Sequence, residues 1–238
     1  MKFSAIHTLT LLDFPDKIAA IVFTAGCNFR CHFCHNAEFV IPEYIQKIQE
    51  GFIPEEKILN FLKTRIGKLD GIVISGGEPT IYKEDLLRFM QKVKNLGFLI
   101  KLDTNGTNPE FLNQAIKQKI IDYVAMDIKA PSWAYTDIIG VPIDWESLEK
   151  SRDILFSSNI NFELRTTVIK GFHTTKMMEE IFAFCANAPK YSIQNYRSQK
   201  VLNPLWKNFK GFSIEELKEF QNIAQKYISN VQIFENIT

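Results

Sequence analysis

Short apolar runs alternate along the chain with longer stretches in which apolar residues recur every three or four positions. Runs at 18–24 (IAAIVFT), 71–75 (GIVIS), 98–103 (FLIKLD), 121–127 (IDYVAMD), 161–169 (NFELRTTVI) and 191–195 (YSIQN) predict six strands, with a seventh candidate at 231–234 (VQIF). Several are nearly all apolar, as parallel strands covered on both faces must be. The helical spacing predicts helices over 54–66, 83–96, 109–118, 145–157, 175–187 and 213–229. Leu86, Leu87, Met90 and Val93 form one such stripe. Pro54 suits a first helical turn, and Ser213 followed by Glu216 reads as a capping box.

A β-α-β-α rhythm implies the α/β class, with a parallel sheet and right-handed crossovers. A closed eight-stranded barrel takes about 250 residues, so the 238 residues here do not exclude one by length. The strand count favours an incomplete, open barrel. No linker-like segment, repeat or charge block divides the chain, and a single domain over 1–238 is expected. Its 28 Lys and Arg against 27 Asp and Glu leave a net charge of +1, too little to draw the whole protein onto nucleic acid. Asp13 and Asp16 interrupt the N-terminal apolar residues, so no signal peptide is read there, and no run approaches the length of a membrane span. A cytoplasmic protein is expected.

Four cysteines then carry the candidate chemistry. Cys27, Cys31 and Cys34 follow the first strand with C-x3-C-x2-C spacing, at the end of a parallel strand where active sites gather. Cys185 lies in the apolar helical stretch IFAFCA and reads as a core thiol. In a reducing compartment, three clustered thiols hold a metal more readily than they form disulfides. One reading is a structural zinc site with His32 or His35 as fourth ligand. The other is a four-iron cluster on three cysteines, with one iron open to an outside ligand. The second and third strands end in Ser75-Gly76-Gly77-Glu78-Pro79 and Asp103-Thr104-Asn105-Gly106. Singly, each reads as an ordinary turn. Together with the cysteines, they place polar, glycine-bearing loops at successive strand ends, which a zinc knuckle does not call for.

These residues resemble the radical S-adenosylmethionine enzymes, and within them the activases of glycyl-radical enzymes. The likeness runs through TLLDFPDKIAAIVFTAGCNFRCHFCHN, ISGGEPT, GFLIKLDTNGTNP, DYVAMDIKAP and FELRTTVIKGFH, and is greatest to the activating proteins of anaerobic ribonucleoside-triphosphate reductase. It implies a partial (β/α)6 TIM-like barrel, the radical SAM core. It also implies one [4Fe-4S] cluster on Cys27, Cys31 and Cys34, with S-adenosylmethionine on the fourth iron. Gly76, Gly77 and Glu78 match the motif along the methionyl amino group, where glycine lets backbone approach the ligand. Asp103 and Thr104 match positions near the methionyl end, Asp127 and Lys129 the D-x-K motif of the fourth strand, and Phe33 the neighbour of the adenine.

Arg165 is expected either in the site or pointing out between helices. Tyr196 and Arg197 either flank the nucleoside or form a strand-end turn, and His173 is expected to cap a helix or lie on the surface. The implied activity is reductive cleavage of S-adenosylmethionine to a 5′-deoxyadenosyl radical that takes hydrogen from a glycine of a partner enzyme, with flavodoxin or ferredoxin as electron donor. Family members usually carry Gly at Asp16, Gln at Ala25, and Pro at His32 and Ala37. The stretch from His35 to Asp70 lacks the cysteines of an inserted ferredoxin-like domain. Two alternatives stand beside this reading: a small-molecule radical enzyme similar to 7-carboxy-7-deazaguanine synthase, and a zinc-binding adaptor.

Overall fold

The computed structural model describes residues 1–235. Its strands are β1 (Lys2–Phe3), β2 (Ala5–Thr10), β3 (Ala19–Thr24), β4 (Ile53–Pro54), β5 (Gly71–Gly76), β6 (Leu99–Thr104), β7 (Tyr123–Asp127), β8 (Asn161–Val168), β9 (Tyr191–Asn195) and β10 (Val231–Phe234). The α-helices are α1 (Ala37–Val40), α2 (Pro42–Ile48), α3 (Glu55–Lys63), α4 (Glu84–Asn95), α5 (Pro109–Lys117), α6 (Tyr135–Ile139), α7 (Trp145–Ser157), α8 (Thr175–Phe184) and α9 (Ile214–Ala224). By internal contacts the chain forms two compact units. The first comprises Met1–Asn28, Asn36–Val124 and Glu146–Ile160, and the second Phe29–His35, Ala125–Trp145 and the chain from Asn161 onward.

In the first unit β3, β5 and β6 are parallel neighbours, with Ala19 opposite Gly71 and Ile72 opposite Ile100. One strand face is apolar: Ala19, Ile21 and Phe23 alternate along β3 and pack with Val73, Leu99, Tyr123 and Phe14. The helices bury their own stripes, and α4 contributes Leu86, Leu87, Phe89, Met90 and Val93. The sequence pattern missed β2, which pairs antiparallel with β3. Its His7, Thr8 and Leu9 are all exposed, so no alternation marks it. Pro54 is the N-cap of α3 rather than a first-turn residue, because Ile53–Pro54 is held in a short antiparallel ladder with Lys2–Phe3.

In the second unit β8, β9 and β10 are parallel, which makes the seventh candidate a strand. Glu163, Arg165 and Thr167 alternate on β8 with the buried Leu164, Thr166 and Val168. On β9, Ser192 donates to Glu163 at 2.6 Å and Gln194 accepts from Thr167 at 3.2 Å. One face of these strands is thus polar and the other packs on α8 and α9. There Met178, Ile181, Phe182 and Leu217 are buried, Phe182 meets Tyr191, and Cys185 is fully buried, as expected of a core thiol. The α9 capping box is present, with Ser213 and Glu216 each bonding the other's backbone N–H. α8 stops at Phe184, short of the expected 187, since Asn187 turns into the left-handed region at φ 65°. The α/β class with mostly parallel strands is as read from the sequence.

Candidate active site

In the first unit the candidate site residues lie at the ends of β3, β5 and β6. Gly76 and Gly77 are required there by backbone packing: a Cβ on Gly77 would meet the Gly26 carbonyl oxygen at 1.9 Å, and one on Gly76 would meet Thr24 N at 2.3 Å. The close approach allows Gly77 N–H to donate to Thr24 O at 2.9 Å and Glu78 N–H to Gly26 O at 2.8 Å. The loop before Cys27 is thereby stitched to the Gly-Gly-Glu turn, and Tyr82 adds a hydroxyl bond to Ala25 O at 2.7 Å.

Glu78 is 1% exposed. Its Oε1 accepts from Thr80 N–H at 3.1 Å, the Thr80 hydroxyl at 2.6 Å and the Thr104 hydroxyl at 2.8 Å, while Oε2 accepts from Asn105 N–H at 2.6 Å. Burial pushes this carboxyl above its usual range, and the bonds from Thr80, Asn105 and Thr104 only partly offset that. Asn105 also donates to Asn28 at 2.8 Å, and Gly106 O accepts from the fully buried Ser151 at 2.6 Å. Asp103 is paired with the buried Lys101.

The second unit contains Cys31 and Cys34 in one turn, closed by Cys34 N–H to Cys31 O at 3.0 Å. α6 holds one edge of that turn: Arg30 and His32 donate backbone N–H groups to Ile139 O and Ile138 O. The other edge meets the segment after β9, where Asn203 N–H donates to His32 O at 3.0 Å and the Trp206 ring lies 5.3 Å from that of His32. Lys129 Nζ stands 5.6 Å from the centre of the Phe33 ring, within cation–π range. Burial pushes the Cys31 thiol up to about 12 despite the nearby Lys129, so a metal would have to displace its proton.

Asp127 joins Lys129 at 3.1 Å and Arg165 at 2.8 Å, one cation on each carboxylate oxygen. Burial opposes ionisation of Asp127, but the Arg165 and Lys129 charges overcome it and hold the carboxyl down to about 2. Lys129 is likewise desolvated, yet Asp127 keeps it charged and raises its pKa. Arg165 therefore faces the strand-end charges and does not point out between helices.

His173 corrects the expectation of a cap or surface residue. It is 4% exposed, and the N-cap of α8 is Thr174. Its Nδ1 accepts from Ile169 N–H at 3.0 Å, which leaves Nε2 as the donor to Lys129 O at 2.9 Å. Burial lowers its pKa to about 4, so the ring is neutral. The buried Tyr135 hydroxyl sits 3.3 Å from Lys129 N, and Lys129 thus has both backbone groups engaged by buried side chains. Tyr196 is also buried and directs its hydroxyl to Trp206 O at 2.6 Å, with its ring 6.4 Å from His35. Thr80, Asn105, Tyr135, His173 and Trp206 were not singled out for the site. Only the Asn-Gly turn and the histidine carried any sequence signal.

All four cysteines carry thiols and none forms a disulfide. Among the described residues no three His, Cys, Asp or Glu side chains are drawn together on a single ion. A cluster makes a different demand, since each cysteine binds its own iron. Within the second unit, the Cys31 and Cys34 thiols on one turn, with the Lys129 cation close to the Phe33 ring between them, are donors of the kind such a cluster takes.

Residues 21–185 match the radical SAM superfamily. The chain belongs to that superfamily. It is 34% identical over 234 residues, 97% of this chain and 94% of the relative, to a candidate glycyl-radical enzyme activating enzyme of Methanocaldococcus jannaschii. A 7-carboxy-7-deazaguanine synthase of Thermococcus kodakarensis is 28% identical over 138 residues, 52% of this chain and 51% of that one. Among solved structures, Streptococcus suis SuiB bound to S-adenosylmethionine aligns with a TM-score of 0.64 at 17% identity, covering 91% of this chain and 52% of that one, a likeness of fold. Radical SAM membership implies a [4Fe-4S] cluster and S-adenosylmethionine, and the chain is a radical SAM enzyme with activating enzymes among its relatives. No helix among the described residues is long and apolar enough to cross a membrane.

Proposed function

We propose that this radical SAM enzyme installs a glycyl radical on a partner enzyme, with anaerobic ribonucleoside-triphosphate reductase as the partner. Full-length similarity to a candidate activating enzyme carries the reading, set against a match over half the chain to the deazaguanine synthase. Cys27, Cys31 and Cys34 would hold a single cluster. When bound, the cluster and S-adenosylmethionine supply a 5′-deoxyadenosyl radical that removes hydrogen from the α-carbon of a glycine.

This chain's residues bind and orient. The backbone of Gly76 and Gly77 lies along the loop that carries Cys27, and Glu78 fixes the Gly-Gly turn to the Thr104-Asn105 turn. Thr104 and Asp103, at the end of β6, would serve the methionyl end. Lys129 would neutralise the methionyl carboxylate, Asp127 and Arg165 would hold Lys129 in place, and Phe33 and Tyr196 would flank the nucleoside. The reading takes the chain as one catalytic domain at work in the cytoplasm, reduced by flavodoxin or ferredoxin.

The test is anaerobic incubation of reconstituted protein with S-adenosylmethionine, a reductant and the ribonucleotide reductase, followed by electron paramagnetic resonance. A doublet on the partner that disappears when its target glycine is replaced supports the reading. Cleavage of S-adenosylmethionine with no radical on any glycyl-radical enzyme, together with turnover of a pterin, would transfer the chain to the deazaguanine synthase class.

A further inference from the structure

Asn28, the residue after Cys27, is exposed, yet both ends of its amide are engaged by the protein. Its Nδ2 donates to the Thr107 hydroxyl at 2.7 Å, that hydroxyl donates to Asn105 Oδ1 at 2.7 Å, and Asn105 Nδ2 donates back to Asn28 Oδ1 at 2.8 Å. The side chains thus close a ring in which each gives one hydrogen bond to the next. Its direction is fixed from outside. Thr107 N–H, which can only donate, reaches Asn105 Oδ1 at 3.1 Å, so the Asn105 NH2 must face Asn28 and Asn28 must answer with its oxygen. Hydrogen bonds linked in a chain polarise one another, and the ring holds Asn28 more firmly than the same bonds would singly.

The ring stands on a firm base. Asn105 is 5% exposed, its backbone N–H is held by Glu78, Gly106 O is held by the buried Ser151, and Asn108 Nδ2 donates to Thr80 O at 3.1 Å. On the other side of Cys27, Gly26 has both backbone groups engaged, its N–H with Phe39 O at 2.6 Å and its carbonyl with Glu78 N–H at 2.8 Å. Cys27 is therefore clamped by backbone bonds before it and by a side-chain ring after it.

We propose that Asn28, Asn105 and Thr107 are positioning residues for the Cys27 ligand, an inference that rests on the radical SAM reading above. A sulfur bound to iron keeps its place only as well as the backbone that carries it, and partners outside the ligands themselves govern metal affinity by about 10–100-fold. The ring does this by denying the peptide after Cys27 the freedom to rotate.

The experiment compares the reconstituted wild type with Asn28→Ala, Thr107→Val and Thr107→Ser. Valine keeps the shape of threonine without its hydroxyl, whereas serine keeps the hydroxyl. Anaerobic iron loss to EDTA is followed by absorbance, the reduced cluster is examined by electron paramagnetic resonance, and urea denaturation of the iron-free proteins reports general stability. Asn28→Ala and Thr107→Val should lose iron about tenfold faster than the wild type and show an altered resonance signal. Thr107→Ser should stay near the wild-type rate, and the urea midpoints should nearly agree. Equal rates and identical spectra in all four proteins would overturn the proposal. So would a Thr107→Ser variant that fails as Thr107→Val does, which would trace the effect to the methyl group, or faster iron loss that only follows a lowered urea midpoint. Zinc in place of iron in the wild type would instead count against the radical SAM reading, and the proposal would fall with it.

Discussion

Two carboxylates, the buried Glu78 in one unit and the part-buried Asp127 in the other, are stabilised in opposite ways. Glu78 is surrounded by neutral donors, two hydroxyls and two backbone N–H groups, and its pKa rises. Asp127 stands between Lys129 and Arg165 and its pKa falls to about 2. Uncharged donors arrange loops around Glu78 without bringing any cation to them, whereas a carboxylate between two cations leaves one positive charge over. The first unit therefore supplies shape at the strand ends, and the second supplies charge.

The largest stability effect should come from Asp127→Asn. It leaves Lys129 and Arg165, both mostly desolvated, short of their counter-charge in a part-buried cluster, and the loss should lie between the about 1 kcal/mol of an exposed pair and the about 3–5 kcal/mol of a fully buried one. Urea denaturation at neutral pH measures this. A loss below about 1 kcal/mol would mean that solvent already screens the triad, as for surface pairs, and the comparison would break. The pH dependence has opposite signs at the two sites. The depressed pKa of Asp127 gives stability that is complete above its unfolded value, near 3.9, and is lost as pH falls toward about 2. The raised pKa of Glu78 gives stability that is complete below the ordinary glutamate range and is lost as pH rises from that range through the raised native value. Denaturation curves of Asp127→Asn and Glu78→Gln against pH should each lose one of these slopes.

A smaller loss is expected for Glu78→Gln. Its amide NH2 would face Asn105 N–H, two donors with no acceptor between them, at a cost of about 1–3 kcal/mol. Hydrogen exchange at Asn105 should quicken while that at Lys129 stays as it was. Cys185→Ala should matter least, about 1 kcal/mol of packing, with iron content unchanged.

The helices and parallel strands were legible because each buries a long apolar stripe. β2 was not, since an edge strand with exposed His7, Thr8 and Leu9 carries no period. Within the site the motif residues stood out as clusters of polar and glycine residues, but the sources of their constraint did not. Gly77 reads as room for a ligand, yet the atom a Cβ would strike is Gly26 O. His173 reads as a surface residue because the two backbone groups it joins, at Ile169 and Lys129, are 40 residues apart in sequence. Asp16 has a positive φ of 58°, a conformation that glycine adopts without strain.

The most direct measurement is iron content and 5′-deoxyadenosine formation by anaerobically reconstituted protein given S-adenosylmethionine and dithionite, beside the variants Cys27→Ala, Cys31→Ala and Cys34→Ala. The account expects about four irons per chain and 5′-deoxyadenosine in the wild type, and neither in any variant. Zinc bound without iron, or product formation that survives loss of any of the three cysteines, would contradict it.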